Sequence, residues 1–228
     1  MSDLLSIATI ALAGIVQASL QLSLGGLVLL YHSSMGQHRR RKTRYLAKSY
    51  IWGALVISFL AVCAGAFLID RIFQGAIARE AVFVISGILL ASAVVMWLLY
   101  YRRGRQTTQT WLPKSLTRYI ARRAGNTKDN VEAFSLGMLS AFVELPLTLA
   151  IYAVAANCLV TTTQPFIALG VYLAIVAIPM VALKLRIKSG RNVAEVQRWR
   201  IRNKQFVRII SGGAFAVLAF FILTYWGL

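Results

Sequence analysis

Six long apolar runs, separated by strongly basic stretches, dominate the chain. They fall at about Leu4–Tyr31, Ala47–Ile69, Ala81–Tyr101, Ala133–Val160, Phe166–Leu183 and Phe206–Trp226. Each is close to the roughly 20 helical residues that cross a bilayer core of about 30 Å. The pattern predicts an all-α integral membrane protein with six transmembrane helices. Gly53 and Gly65 interrupt the second run, and membrane helices tolerate such residues. The first run follows Met1-Ser2-Asp3, with no basic region before it and no clear cleavage site after it, so a retained span is expected rather than a signal peptide.

The polar positions inside these runs repeat. Gly14-Ile-Val-Gln17-Ala18-Ser-Leu-Gln21 reads in register with Gly137-Met-Leu-Ser140-Ala141-Phe-Val-Glu144. A second echo sets Ile85-Ser86-Gly87 against Ile210-Ser211-Gly212, with Ala91, Leu98 and Tyr100 facing Ala216, Leu223 and Tyr225. Two matches at nearly one spacing point to a duplicated unit of about 120 residues. Three spans per unit make the copies inverted in the membrane, related by an axis in its plane. The expected organisation is a first three-helix repeat over 1–101, a basic linker over 102–130 and a second three-helix repeat over 131–228.

Composition agrees with burial in lipid: 58% of the 228 residues are hydrophobic and 14% charged, where a soluble domain carries nearer a quarter charged. The formal net charge of +18 would suit a nucleic-acid binder, but its distribution does not. Apart from Arg71 and Arg79, every Lys and Arg falls between spans one and two, three and four, or five and six, or, as Lys48 and Arg208, in the first residues of the span that follows. The positive-inside rule then puts three basic loops in the cytoplasm and both termini outside, in a cytoplasmic (inner) membrane. The charge reads as topology, with no nucleic-acid partner implied. Within the linker, Pro113 opens a segment with Leu116, Tyr119 and Ile120 on one face and Lys114, Arg118, Arg122 and Arg123 on the other. This is either an amphipathic helix on anionic inner-leaflet lipid, with Trp111 at the interface, or a solvated basic linker.

The candidate chemistry sits on spans one and four. Ser140, Glu144, Thr148 and Tyr152 recur every fourth residue and share one helix face; Gly14, Gln17 and Gln21 form the corresponding stripe. Gln21 falls opposite Glu144. Pro146 removes a helical hydrogen bond just after the acid, and Gly25-Gly26 loosens span one at a matching depth, as transporter sites built on broken helices do. No Lys or Arg lies at mid-span to pair with Glu144. Holding a glutamate neutral at pH 7 costs about 3.7 kcal/mol, against ~2.5–3.5 kcal/mol for burying it mid-membrane as an ion. The balance favours a group that titrates or meets an incoming cation; the competing reading is a protonated Glu144 that merely ties helices together.

Other chemistries lack their residues. His32 and His38 lie together in or beside one loop, so a haem held between spans is excluded, and no intramembrane lysine could hold retinal. Neither a metal-ligating cluster, nor a P-loop, nor a nucleophile elbow occurs. No cofactor, metal or enzymatic activity is expected. Cys63 and Cys158 lie on different spans, both toward the outer half, and read as small buried hydrophobes, with a disulfide between them as the lesser alternative.

The motifs Gly14-x-x-x-Ala18-x-x-Gln21 and Gly137-x-x-x-Ala141-x-x-Glu144-Leu145-Pro146, on spans one and four of two inverted repeats, resemble a known plan. It is that of the superfamily containing LysE-type amino-acid exporters and CcdA/DsbD thiol-redox membrane proteins. Members of its redox branch carry a cysteine near a proline on each of these spans; here Gln21 and Glu144 occupy those places. Metal-transporting members usually hold acids in both repeats, and this chain has one. The resemblance therefore implies a proton-coupled or small-solute carrier with a midplane site of Gln17, Gln21, Ser140, Glu144 and Thr148. The alternatives are a non-transporting scaffold or regulator that works through its basic loops and, behind it, a thiol-redox protein. The expected partners are the bilayer, anionic lipid and an unidentified solute or proton; a homo-oligomer is compatible with the pattern.

Overall fold

The computed structural model describes residues 3–20, 40–75, 77–98, 119, 122–124, 127, 129–188 and 204–227. Among them the chain is helical, without strands. The long helices are α1 (Asp3–Leu20), α2 (Arg40–Phe73), α3 (Arg79–Leu98), α4 (Asn130–Thr161), α5 (Pro165–Lys188) and α6 (Lys204–Ile222). The six apolar runs seed them one for one. Five are long and apolar enough to cross a membrane, and α1 is apolar but shorter over its described length. Residues 21–39, which hold Gln21, Gly25 and Gly26, lie outside the described residues, as do Trp111 and Arg118.

Local chemistry fixes the helix ends. α2 stops where Gln74 and Gly75 both take positive φ, 52° and 138°, the left-handed turn that closes many helices and that glycine adopts without strain. Glu80 in the first turn of α3 and Glu132 in that of α4 complement the helix dipole. Pro165 opens α5, where its missing N–H leaves no bond unmade. Pro146 lies inside α4 without ending it: the helix runs on to Thr161. The expected break is therefore the loss of one backbone hydrogen bond within a continuous helix. The chain finishes in a wider π-type turn, Leu223–Gly227, which the apolar pattern does not foreshadow.

α4 is the central helix, with 56% of its apolar window buried against 28–33% in the other four membrane-length helices. Its most extensive partner is α2. The two run closely enough that a Cβ on Gly137 would collide with the Tyr50 carbonyl oxygen, and one on Gly53 with that of Phe134. Small residues permit this approach, and without a hydrophobic drive between helices in lipid such packing holds membrane bundles together. α3 packs on α6, and α1 on α5, α4 and α6.

Two apolar clusters result. One gathers Ile10, Val62, Leu89, Ile151, Tyr172 and Phe215; the other gathers Ala47, Tyr50, Leu136, Met180 and Leu183, with Ala124 of the linker. Outward, Trp52, Phe67, Phe83, Phe142, Phe166 and Phe220 are all exposed. So large an apolar exterior is a liability in water and consistent with a membrane-embedded protein.

Candidate functional site

The α4 stripe faces inward as its four-residue spacing requires. Ser140, Glu144, Thr148 and Tyr152 are all buried, and Gln17 of α1 is buried with them. Four of the five residues expected at the site therefore lie within the bundle; the fifth, Gln21, is outside the described residues.

Gln17 is the hub. Its Nε2 donates to Ser58 Oγ of α2 at 3.2 Å and to Tyr152 Oη of α4 at 2.9 Å. Its Oε1 accepts the phenol hydrogen of Tyr172 on α5. A side-chain amide has two donor hydrogens and an acceptor oxygen, so both donors are used and four helices meet in one network. Ser58 Oγ and Tyr152 Oη close the ring at 3.2 Å, and Ser58 also donates to the Ala54 carbonyl at 3.3 Å.

Glu144 lies two turns from Tyr152 along α4, on the side toward Ser140. Its carboxyl is within electrostatic range of two phenols, Tyr50 and Tyr152. Thr148 donates to the Glu144 carbonyl at 3.0 Å, so its hydroxyl bonds its own helix first. Ser140 sits beside Tyr50, yet its buried Oγ makes no hydrogen bond of acceptable geometry. The result is one buried carboxyl group within range of two phenols, on a helix face that also carries the Ser140 and Thr148 hydroxyls, with the Gln17 network two turns further along α4. Such a site can take a single positive charge, as a proton or as a monovalent cationic group. Among the described residues no three His, Cys, Asp or Glu side chains converge as a metal site would need.

Tyr50, Ser58 and Tyr172 are absent from the stripes read in the sequence. The signal for two of them was present. Tyr50 and Tyr172 stand 122 residues apart, in near register with Gly14 and Gly137 and with Gln17 and Ser140, each pair 123 apart. The structure repeats the relation: Gly137 lies on the Tyr50 carbonyl, and Gly14 lies near that of Tyr172. In the second echo Ser86 and Ser211 are both buried. There Gly212 accommodates the Trp97 indole, while Gly87 faces open space.

The remaining predicted contacts are peripheral. Arg122 and Arg123 are exposed, next to the buried Ala124. Cys63 and Cys158 are free thiols, the first partly buried and the second fully. No family model, curated protein or solved structure matches the chain.

Proposed function

We propose that the protein is a small secondary membrane carrier, built as two inverted three-helix repeats, whose site centres on Glu144. The observation that carries this reading is the burial of the Glu144 carboxyl group inside the bundle, on the α4 face that also buries Ser140, Thr148 and Tyr152. Intramembrane acids are costly, and they commonly mark ion or substrate pathways. The site takes a proton or a monovalent cationic group; a divalent ion would leave an uncompensated charge in a low-dielectric interior.

The helix pairings support the repeat. Exchanging α1 with α4, α2 with α5 and α3 with α6 turns the α2–α4 contact into α5–α1 and the α3–α4 contact into α6–α1. The α1–α4, α2–α5 and α3–α6 contacts map onto themselves. The α4–α5 contact across the short Thr162–Gln164 turn corresponds to α1–α2, which among the described residues the Gln17–Ser58 bond joins. With the basic loops in the cytoplasm, both termini face outward and the protein belongs in the inner membrane. The likeness to the LysE/CcdA plan rests on this arrangement and on the motifs of spans one and four.

The test is pH-gradient-driven flux in proteoliposomes, read with an entrapped pH dye. Glu144→Gln should abolish it while leaving the protein monodisperse; unchanged flux removes the assignment. The scaffold reading draws on one observation, the adjacent exposed Arg122 and Arg123 anchored by buried Ala124. A protein partner lost when both arginines are neutralised would favour it.

A further inference from the structure

The two sides of the bundle are held by different means. α2 and α4 meet along a seam at Gly53 and Gly137 with no room for a Cβ, which is backbone packing that no side-chain rotation can release. α1 meets α5 less tightly. A Cβ on Gly14 would lie 3.2 Å from Ile175 side-chain atoms and 3.4 Å from the Tyr172 carbonyl, a fit that small shifts relieve. Besides the apolar packing of Ile10, Ala13 and Val16, polar clasps hold α1. Gln17 bonds Ser58, Tyr152 and Tyr172. At the start of the same helix, Asp3 accepts hydrogen bonds from the Thr163 N–H at 3.0 Å, the Thr163 hydroxyl at 2.6 Å and the Thr162 hydroxyl at 3.3 Å.

Both clasps stand on one side of Glu144. On α4, Tyr152 lies eight residues past Glu144 toward the Thr162–Gln164 turn, or about 12 Å along a continuous helix. Tyr50 and Ser140 lie on the other side, against the seam. We infer that α1 is the moving element, and that release of Tyr172 from Gln17 opens a path to Glu144 from the Asp3 end while the α2–α4 seam stays fixed. Tyr172 and Gln17 are then gating residues, a role the sequence stripes did not assign. This rests on the carrier reading of Glu144. It adds the side from which the site is reached. Gates of this kind move few residues and turn on contacts easily remade.

Cys158 is a built-in reporter. It lies on α4 near the Thr162–Gln164 turn, wholly buried in the cluster that includes Ile10 and Ala13 of α1. In a Cys63→Ser background, N-ethylmaleimide labelling of Cys158 in the purified full-length protein measures opening at that end. Tyr172→Phe should speed labelling about five-fold, the effect of one lost hydrogen bond on an opening equilibrium. Asp3→Ala should act in the same direction and serves in its place if Tyr172→Phe does not purify as a monodisperse protein. Tyr50→Phe should leave the rate within about two-fold, since that contact lies at the seam. Unchanged labelling in Tyr172→Phe overturns the inference, and so does equal acceleration in Tyr50→Phe. Labelling needs no transported solute. Flux that ignores Glu144→Gln would therefore remove the carrier reading, whereas an unmoved Cys158 rate beside Glu144-dependent flux would remove only the gate.

Discussion

Gly137 rests directly on the backbone carbonyl of Tyr50. No larger residue fits there without parting α2 from α4. Gly137→Ala should destabilise the protein by about 1–3 kcal/mol, the usual cost of overpacking a well-filled contact. Gly87→Ala, where a Cβ meets open space, should be neutral or slightly stabilising. Thermal unfolding of both variants in one detergent checks the pair; equal melting temperatures would mean the seam is not closed.

The Gln17–Tyr172 bond should be measurable as a coupling. Gln17→Leu leaves Ser58, Tyr152 and Tyr172 without their shared partner, and Tyr172→Phe removes one donor. A double-mutant cycle on stability should return about 0.6 kcal/mol, the mean for hydrogen bonds between membrane helices, and no more than about 1.7 kcal/mol. A coupling near zero would show that the two groups do not bond in the membrane.

Ser140→Ala separates structure from function. The hydroxyl is buried beside Tyr50 without a hydrogen bond of good geometry, so its removal should cost no more than about 1 kcal/mol of stability. If the hydroxyl is a ligand for the charge brought to Glu144, flux should fall in the same variant. A large loss of stability would mean that Ser140 is bonded after all.

Asp3 gives the pH dependence a definite sign. It lies just before the first apolar run, and its carboxyl is held below the usual value of 3.8, chiefly by the side-chain and backbone bonds to Thr163. A lowered value means the clasp contributes stability above the unfolded value and loses it as pH falls through the folded one. Wild-type protein should therefore be more stable than Asp3→Asn at pH 6, and the difference should shrink as the pH falls below 3.8. A gap that does not shrink below that value would show that charge is not what holds the clasp.

Much of this was legible in the chain, for reasons that also explain what was not. The apolar runs set the helices, because a segment in lipid must satisfy its own backbone. The four-residue spacing of Ser140, Glu144, Thr148 and Tyr152 carried through to burial because α4 is continuous. Pro146 looked like a break and is not one, since a single missing donor leaves the neighbouring turns able to hold the helix. Ser58 and Tyr172 each stand alone in an apolar run, and Tyr50 follows Lys48 and Ser49 at the edge of one, where periodicity has nothing to register. Their meaning comes from helices distant in sequence: Tyr172 reaches Gln17 across 155 residues and Ser58 reaches Tyr152 across 94. Only the near-equal spacing of the two tyrosines hinted at it.

The seam between α2 and α4 has a mechanical consequence. At 34 and 32 residues, the two helices measure about 50 Å each at 1.5 Å per residue, well beyond a hydrocarbon layer of about 30 Å. By sequence α2 opens on Arg40, Arg41, Lys42 and Arg44, ahead of the apolar run that begins near Ala47. Locked together by glycines, the pair cannot adjust its length one helix at a time and must lean as a single spar. Any hydrophobic mismatch with the bilayer is then felt by the pair as one unit, a force applied to the protein from outside.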